Sequence, residues 1–131
     1  MTLFDAVIYN DIKGVREALK NGVDVNAENT WGDTALTLAA WNGRTEITRL
    51  LIDEGADVNA ENSEGDTALH LAAMNRRTDM VKMFLADGAD PTIKNKDGQP
   101  ASYWGYLLSA RPEMLEILKE AEKKFEKGVK E

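Results

Sequence analysis

His70 is the only histidine in the sequence, and so the only side chain suited to acid–base chemistry near neutral pH. No serine stands at a spacing from it that suggests a nucleophile–base pair. There are no cysteines, which removes disulfides, thiolate metal sites and cysteine nucleophiles. One histidine and no cysteine leave only carboxylates as metal ligands, and no metal-binding cluster is formed. Asp33 and Asp66 are separated by the same interval as Asp57 and Asp90, and as Asn26 and Asn59. Residues that recur in this way belong to a repeated loop, so the aspartates read as turn or rim residues and the asparagines as loop braces. The glycines follow the same interval instead of clustering, so no phosphate-cradling loop is present. The sequence therefore predicts no enzyme, no cofactor, no metal and no small-molecule substrate.

The interval is 33 residues: Gly22, Gly55 and Gly88 are separated by it, and so are Gly32, Gly65 and Gly98. "GVDVNAEN" (22–29) returns as "GADVNAEN" (55–62) and more loosely as "GADPTIKN" (88–95). "WGDTAL" (31–36) returns as "EGDTAL" (64–69) and loosely as "DGQPAS" (97–102). A fixed period of this size signals a solenoid of stacked units. Within a unit, Gly55 and Gly88 follow apolar helical runs, where a left-handed helix terminus is wanted. The segment that follows is rich in turn formers. Thr34 and Thr67 then stand where N-caps belong. Two short helices are predicted next. One, near 34–42, carries the small pair Ala39 and Ala40, which lets neighbouring helices approach. The other, near 46–54, places Ile47, Leu50 and Leu51 on one face. No such unit buries its apolar face alone, so the units must stack.

The period, "GADVNA", "GDTALHLAA" and the helix–turn–helix–hairpin order together resemble the ankyrin repeat, over nearly the whole chain. The resemblance implies an all-α fold, an ankyrin-repeat solenoid of four helix–turn–helix units linked by β-hairpin-like loops. The chain is then a single domain, 1–131, with an N-terminal cap (1–22), two repeats (23–55 and 56–88) and a C-terminal cap (89–131) with a long last helix from Pro112 to Lys127. There Met114, Leu118, Ala121 and Phe125 form one stripe, and charged residues cover the other faces.

The sequence departs from the family at several places. The usual Thr-Pro-Leu-His has Ala35 and Ala68 in place of proline and keeps its histidine only as His70, a structural position in the family. The glycine between the two helices is Gly43 in one repeat, Arg76 in the next and Ser109 in the cap. A left-handed Arg76 costs on the order of 1 kcal/mol. The cap has Trp104, Gly105 and Tyr106 where the repeats have Leu-Ala-Ala, and Arg111 falls one residue beyond its expected place.

Stacking sets equivalent positions side by side. Steps of 33 from Ile8 reach Trp41, Met74 and Leu107, all large and apolar. By the resemblance, this position ends the first helix and tends to face a concave surface. One turn earlier lie Phe4, Thr37, His70 and Tyr103; one residue later lie Tyr9, Asn42, Asn75 and Leu108. Hairpin tips carry Trp31 and Asp33, then Glu64 and Asp66. A contiguous apolar patch on a polar protein marks an interface, and Trp, Tyr and Met are favoured there.

The function expected is non-catalytic binding of another protein through this face. Trp31, Trp41, Met74, Tyr103 and Leu107 would be buried, while Asp33, Glu64 and Asp66 orient a partner with some positive charge. The rival is a homodimer formed by the same stripe, which must then be self-complementary. Irregular repeats ("RTEITRLLID" against "RTDMVKMFLA") under bulky variable positions also suggest a natural scaffold with an engineered surface.

Bulk properties agree with this expectation. The 131 residues suffice for one domain, with 43% hydrophobic and 30% charged residues. A net charge of −7 repels phosphate backbones and makes nucleic acid an unsuitable partner. It also weakly opposes self-association. No apolar run approaches the ~20 residues of a membrane helix. The acidic start "MTLFDAVIYNDIKG" does not read as a signal peptide.

Overall fold

The computed structural model describes residues 2–107 and 112–128. These form eight helices in four pairs: α1 (Leu3–Ile8) with α2 (Ile12–Lys20), α3 (Ala35–Asn42) with α4 (Thr45–Asp53), α5 (Ala68–Met74) with α6 (Thr78–Ala86), and α7 (Ser102–Leu107) with α8 (Pro112–Glu126). Among the described residues there is no strand. The hairpin loops hold only the isolated antiparallel bridges Glu28–Thr34 and Glu61–Thr67. The long last helix ends at Glu126, one residue short of the expected Lys127. Leu108, Ser109 and Arg111 lie outside the described residues.

Three first helices, α1, α3 and α5, open on a threonine with a reciprocal cap: Thr2, Thr34 and Thr67. Thr34 and Thr67 are extended, and each hydroxyl accepts the backbone N–H of the residue three further on. That residue returns a bond to the threonine's own N–H, closing a reciprocal cap at both places. Gly43 ends α3 in the left-handed region at φ 69°, and Arg76 takes the same conformation at φ 60° after α5. Asn10, at φ 58°, is their counterpart after α1; asparagine tolerates this conformation better than arginine.

The odd-numbered helices stack through small residues. Ala39, Ala40, Ala72 and Ala73 are fully buried, and α3 packs on both α1 and α5. The second helices face inward with one stripe each, Ile47 and Leu51 in α4 and Met80, Val81 and Phe84 in α6. In α8 the expected stripe is buried at Met114 and Leu118 but exposed at Phe125. Gly105 replaces an alanine because a Cβ there would lie 3.0 Å from the Leu115 Cα of α8. Tyr106 is exposed where Ala73 is buried, since among the described residues no helix stacks on the far side of α7.

Candidate functional site

The hairpin tips are held by one asparagine each. Asn29 Oδ1 accepts the N–H groups of Trp31 and Asp33, both at 2.9 Å. Asn62 does the same for Glu64 and Asp66, and Asn95 for Asp97 and Gln99. Between units, Asn26 Oδ1 accepts the Asp57 N–H and Asn59 Oδ1 the Asp90 N–H, each at 2.8 Å. These two asparagines are therefore loop braces. Each hairpin is fixed to itself and to its neighbour, so its acidic residues stand at defined places beside the odd-numbered helices.

A groove of about 320 Å³ runs between α3 and α5 under these hairpins. Leu38, Trp41, Leu71 and Met74 form its apolar walls, and Asp33, Glu64 and Asp66 line it on the hairpin side. Thr37 and Asn62 complete the lining. Six residues singled out in the sequence thus meet here: Asp33, Thr37, Trp41, Glu64, Asp66 and Met74. Leu38, Asn62 and Leu71 were missed. The signal for Asn62 was its recurrence as Asn29 and Asn95.

Exposure divides the expected surface. Trp41 is 48% exposed, Ile8 39% and Leu107 56%, while Met74 is half-buried. Trp31, at 75%, stands free at its hairpin tip, away from the groove lining. Phe4 is half-buried on α1 and Tyr103 is partly exposed on α7. Three expected contacts prove to be interior. Thr37 and His70 are each 1% exposed, and Asp66 5%. Thr37 and His70 are the third residues of the reciprocal caps on α3 and α5, so their side chains curl back onto Thr34 and Thr67. Asp66 accepts the Asn95 Nδ2–H of the next hairpin at 2.9 Å. Two further side chains are occupied: Asn42 Nδ2 donates to the Leu38 carbonyl, and Asn75 Nδ2 to the Trp41 carbonyl.

His70 spans two repeats. Its Nδ1 accepts the Thr67 N–H at 3.1 Å, and its Nε2–H donates to the Gln99 carbonyl at 2.9 Å. This assignment places the proton on Nε2, the tautomer that satisfies both bonds. The ring also meets Trp104 edge-on, with centroids 5.9 Å apart. Both nitrogens are committed to structure.

The groove is acidic and uncompensated. Four ion pairs occur among the described residues, and their acids are Asp53, Asp87, Glu113 and Glu122. None of the three groove carboxylates takes part. Burial pushes the Asp33 carboxyl above its ordinary value, partly offset by a hydrogen bond from Asn29. A larger hollow, about 710 Å³, lies between the 85–91 segment and α8. Leu85, Ala89, Pro91, Ile117 and Phe125 dominate its walls, and it holds one acid, Glu120, against one base, Lys124. Among the described residues no group of three or more Asp, Glu or His side chains is placed to hold a metal ion, and no helix is long and apolar enough to cross a membrane.

Stacked helix pairs joined by braced hairpins, with a groove across the stack, define a helical repeat protein. A family model for ankyrin repeats, in three copies, matches residues 3–95, and the chain belongs to the ankyrin-repeat family. No curated protein matches it. Ankyrin repeats are generally protein–protein interaction modules.

Proposed function

We propose that this chain is a non-catalytic binding module whose partner protein seats on the groove between α3 and α5, with Trp41 as anchor. The supporting observation is Trp41 itself. Its ring is half exposed on the wall of an apolar groove. Its backbone is held from the next repeat by the Asn75 amide. A large ring on a rigid helix is the kind of group that dominates binding energy. Ile8, Met74 and Leu107 extend the apolar column on either side, with Phe4 and Tyr103 flanking it and Trp31 reaching out from the hairpin tip. Asp33 and Glu64 supply the charged rim. Thr37, Asp66 and His70 support this face from beneath. In this reading 1–22 and 89–131 serve as caps of the array around the repeats 23–55 and 56–88.

The test is selection of binders from a random dodecapeptide library displayed on phage, using the immobilised full chain. Enriched peptides should bind the wild type and lose about tenfold or more in affinity against Trp41→Ala, as expected for a central aromatic anchor. Peptides that bind both proteins equally would place the binding face elsewhere. Light scattering of the wild type over a hundredfold concentration range accompanies the selection. A mass of twice 14.5 kDa that falls on dilution would instead assign the column to a second copy of the chain.

A further inference from the structure

We infer that the groove selects a basic partner: an arginine or lysine side chain of the bound polypeptide enters between α3 and α5, its stem along Trp41 and Met74 and its charge beside Asp33 and Glu64, with the Asp66 carboxylate beneath them. This rests on the reading of the groove as a protein-binding face and names what occupies it.

Charge complementarity carries the argument. The groove brings three carboxylates to one side of a narrow apolar cleft, and no cation of this chain pairs with any of them among the described residues. Elsewhere on the molecule four acids pair with cations. Arg49 bridges Asp53 and Asp87, Lys82 meets Glu113, and Lys119 meets Glu122. Asp66 is nine-tenths buried and yet receives only a neutral amide hydrogen, from Asn95. Asp33 sits where burial opposes its charge. A carboxylate beside an apolar wall is stabilised by an incoming cation more than one in open water, because the pair is screened less.

The opposite wall suits the rest of such a side chain. Arginine and lysine carry an aliphatic stem that packs on apolar surface while the charged end reaches polar groups. The Trp41 ring offers a face for cation–π contact, which is strongest with tryptophan and most often made by arginine. Leu38 and Leu71 add further apolar surface to these walls. The net charge of −7 adds long-range attraction for a basic segment and speeds encounter.

The experiment takes the Trp41-dependent dodecapeptides from the phage selection and measures their affinities for four full-length proteins by fluorescence anisotropy. These are the wild type, Asp33→Asn with Glu64→Gln, Glu17→Gln with Glu54→Gln, and Trp41→Ala. The second pair of changes removes the same number of charges from exposed positions outside the groove lining. Expected are peptides sharing an arginine or lysine. Their affinity should fall on the order of tenfold with the groove pair and little with the control pair. Replacing that residue by citrulline or norleucine should reproduce the loss, and raising the salt should weaken binding. Trp41-dependent peptides without a basic residue, or equal losses from both charge pairs, would overturn the inference while leaving the groove as the binding face. Failure to enrich any Trp41-dependent peptide would overturn both.

Discussion

Replacing His70 by alanine is expected to uncouple two repeats without touching the exposed face. The change removes the acceptor for the Thr67 N–H, an N-cap bond that contributes about 1 kcal/mol. It also leaves the part-buried Gln99 carbonyl without its donor, which costs about 1–2 kcal/mol. The ring itself is 1% exposed and edges against Trp104, so its removal opens a void worth roughly 1 kcal/mol more. The sum is about 3–4 kcal/mol. Thr37→Ala is the control one repeat earlier: it breaks the equivalent cap but no bond to another repeat, and should cost only about 1 kcal/mol. For a chain of this size the midpoints of thermal unfolding should fall by about 10–15 °C and about 4 °C. Circular dichroism at 222 nm, with urea unfolding as a second measure, reads both. His70→Phe, which keeps a ring but no nitrogen, should lie between them. Equal losses for His70→Ala and Thr37→Ala would refute the claim that the Nε2–Gln99 bond joins the repeats.

The remaining predictions concern strain, exposure and charge. Arg76→Gly should stabilise the chain by about 0.5–1 kcal/mol, since arginine holds φ 60° where Gly43 stands one repeat earlier; a loss in urea unfolding would deny the strain. Trp41→Ala should cost about 1–2 kcal/mol in the same assay, because half the ring is already in water, and a loss of about 3–5 kcal/mol would mark it as core. Asp33→Asn should leave stability at neutral pH unchanged or slightly higher. Burial raises the folded carboxyl above the ordinary aspartate value, so the folded state binds the proton more readily. Asp33 therefore opposes folding once ionised, and that effect fades as the pH falls through the raised value. The wild type should thus gain on the variant as pH is lowered through this window. The opposite trend in paired melts from neutral pH to below 4 would contradict the assigned burial.

The 33-residue interval made most of this fold readable. It located the threonine caps, the alanine pairs and the column from Ile8 to Leu107, because stacking makes sequence period and spatial neighbourhood the same thing. Helix boundaries followed closely for the same reason: Thr34 and Gly43 bracket α3 in sequence and in space. What the interval could not give was the direction of a side chain within its helix. Thr37 and Trp41 are one turn apart on the same face, yet one is buried and the other half exposed. The difference lies in the reciprocal cap, which draws the third helical residue back onto the threonine. Tyr103 follows the same pattern: Pro100 stands where Thr34 and Thr67 stand, it has no hydroxyl to cap with, and Tyr103 is 37% exposed. Asp66 was misplaced for a related reason. Its partner Asn95 is 29 residues away in the next hairpin, a contact that period arithmetic within one unit does not contain.

A partner protein lying across the groove between α3 and α5 would shield particular backbone amides from solvent. Hydrogen exchange of the full chain, free and saturated with a selected binder, tests it most directly. The prediction is added protection in α3, α5 and the hairpin residues 61–66, with α2, α4 and α6 unchanged. Protection confined to those second helices, or to the hollow beside α8, would contradict it.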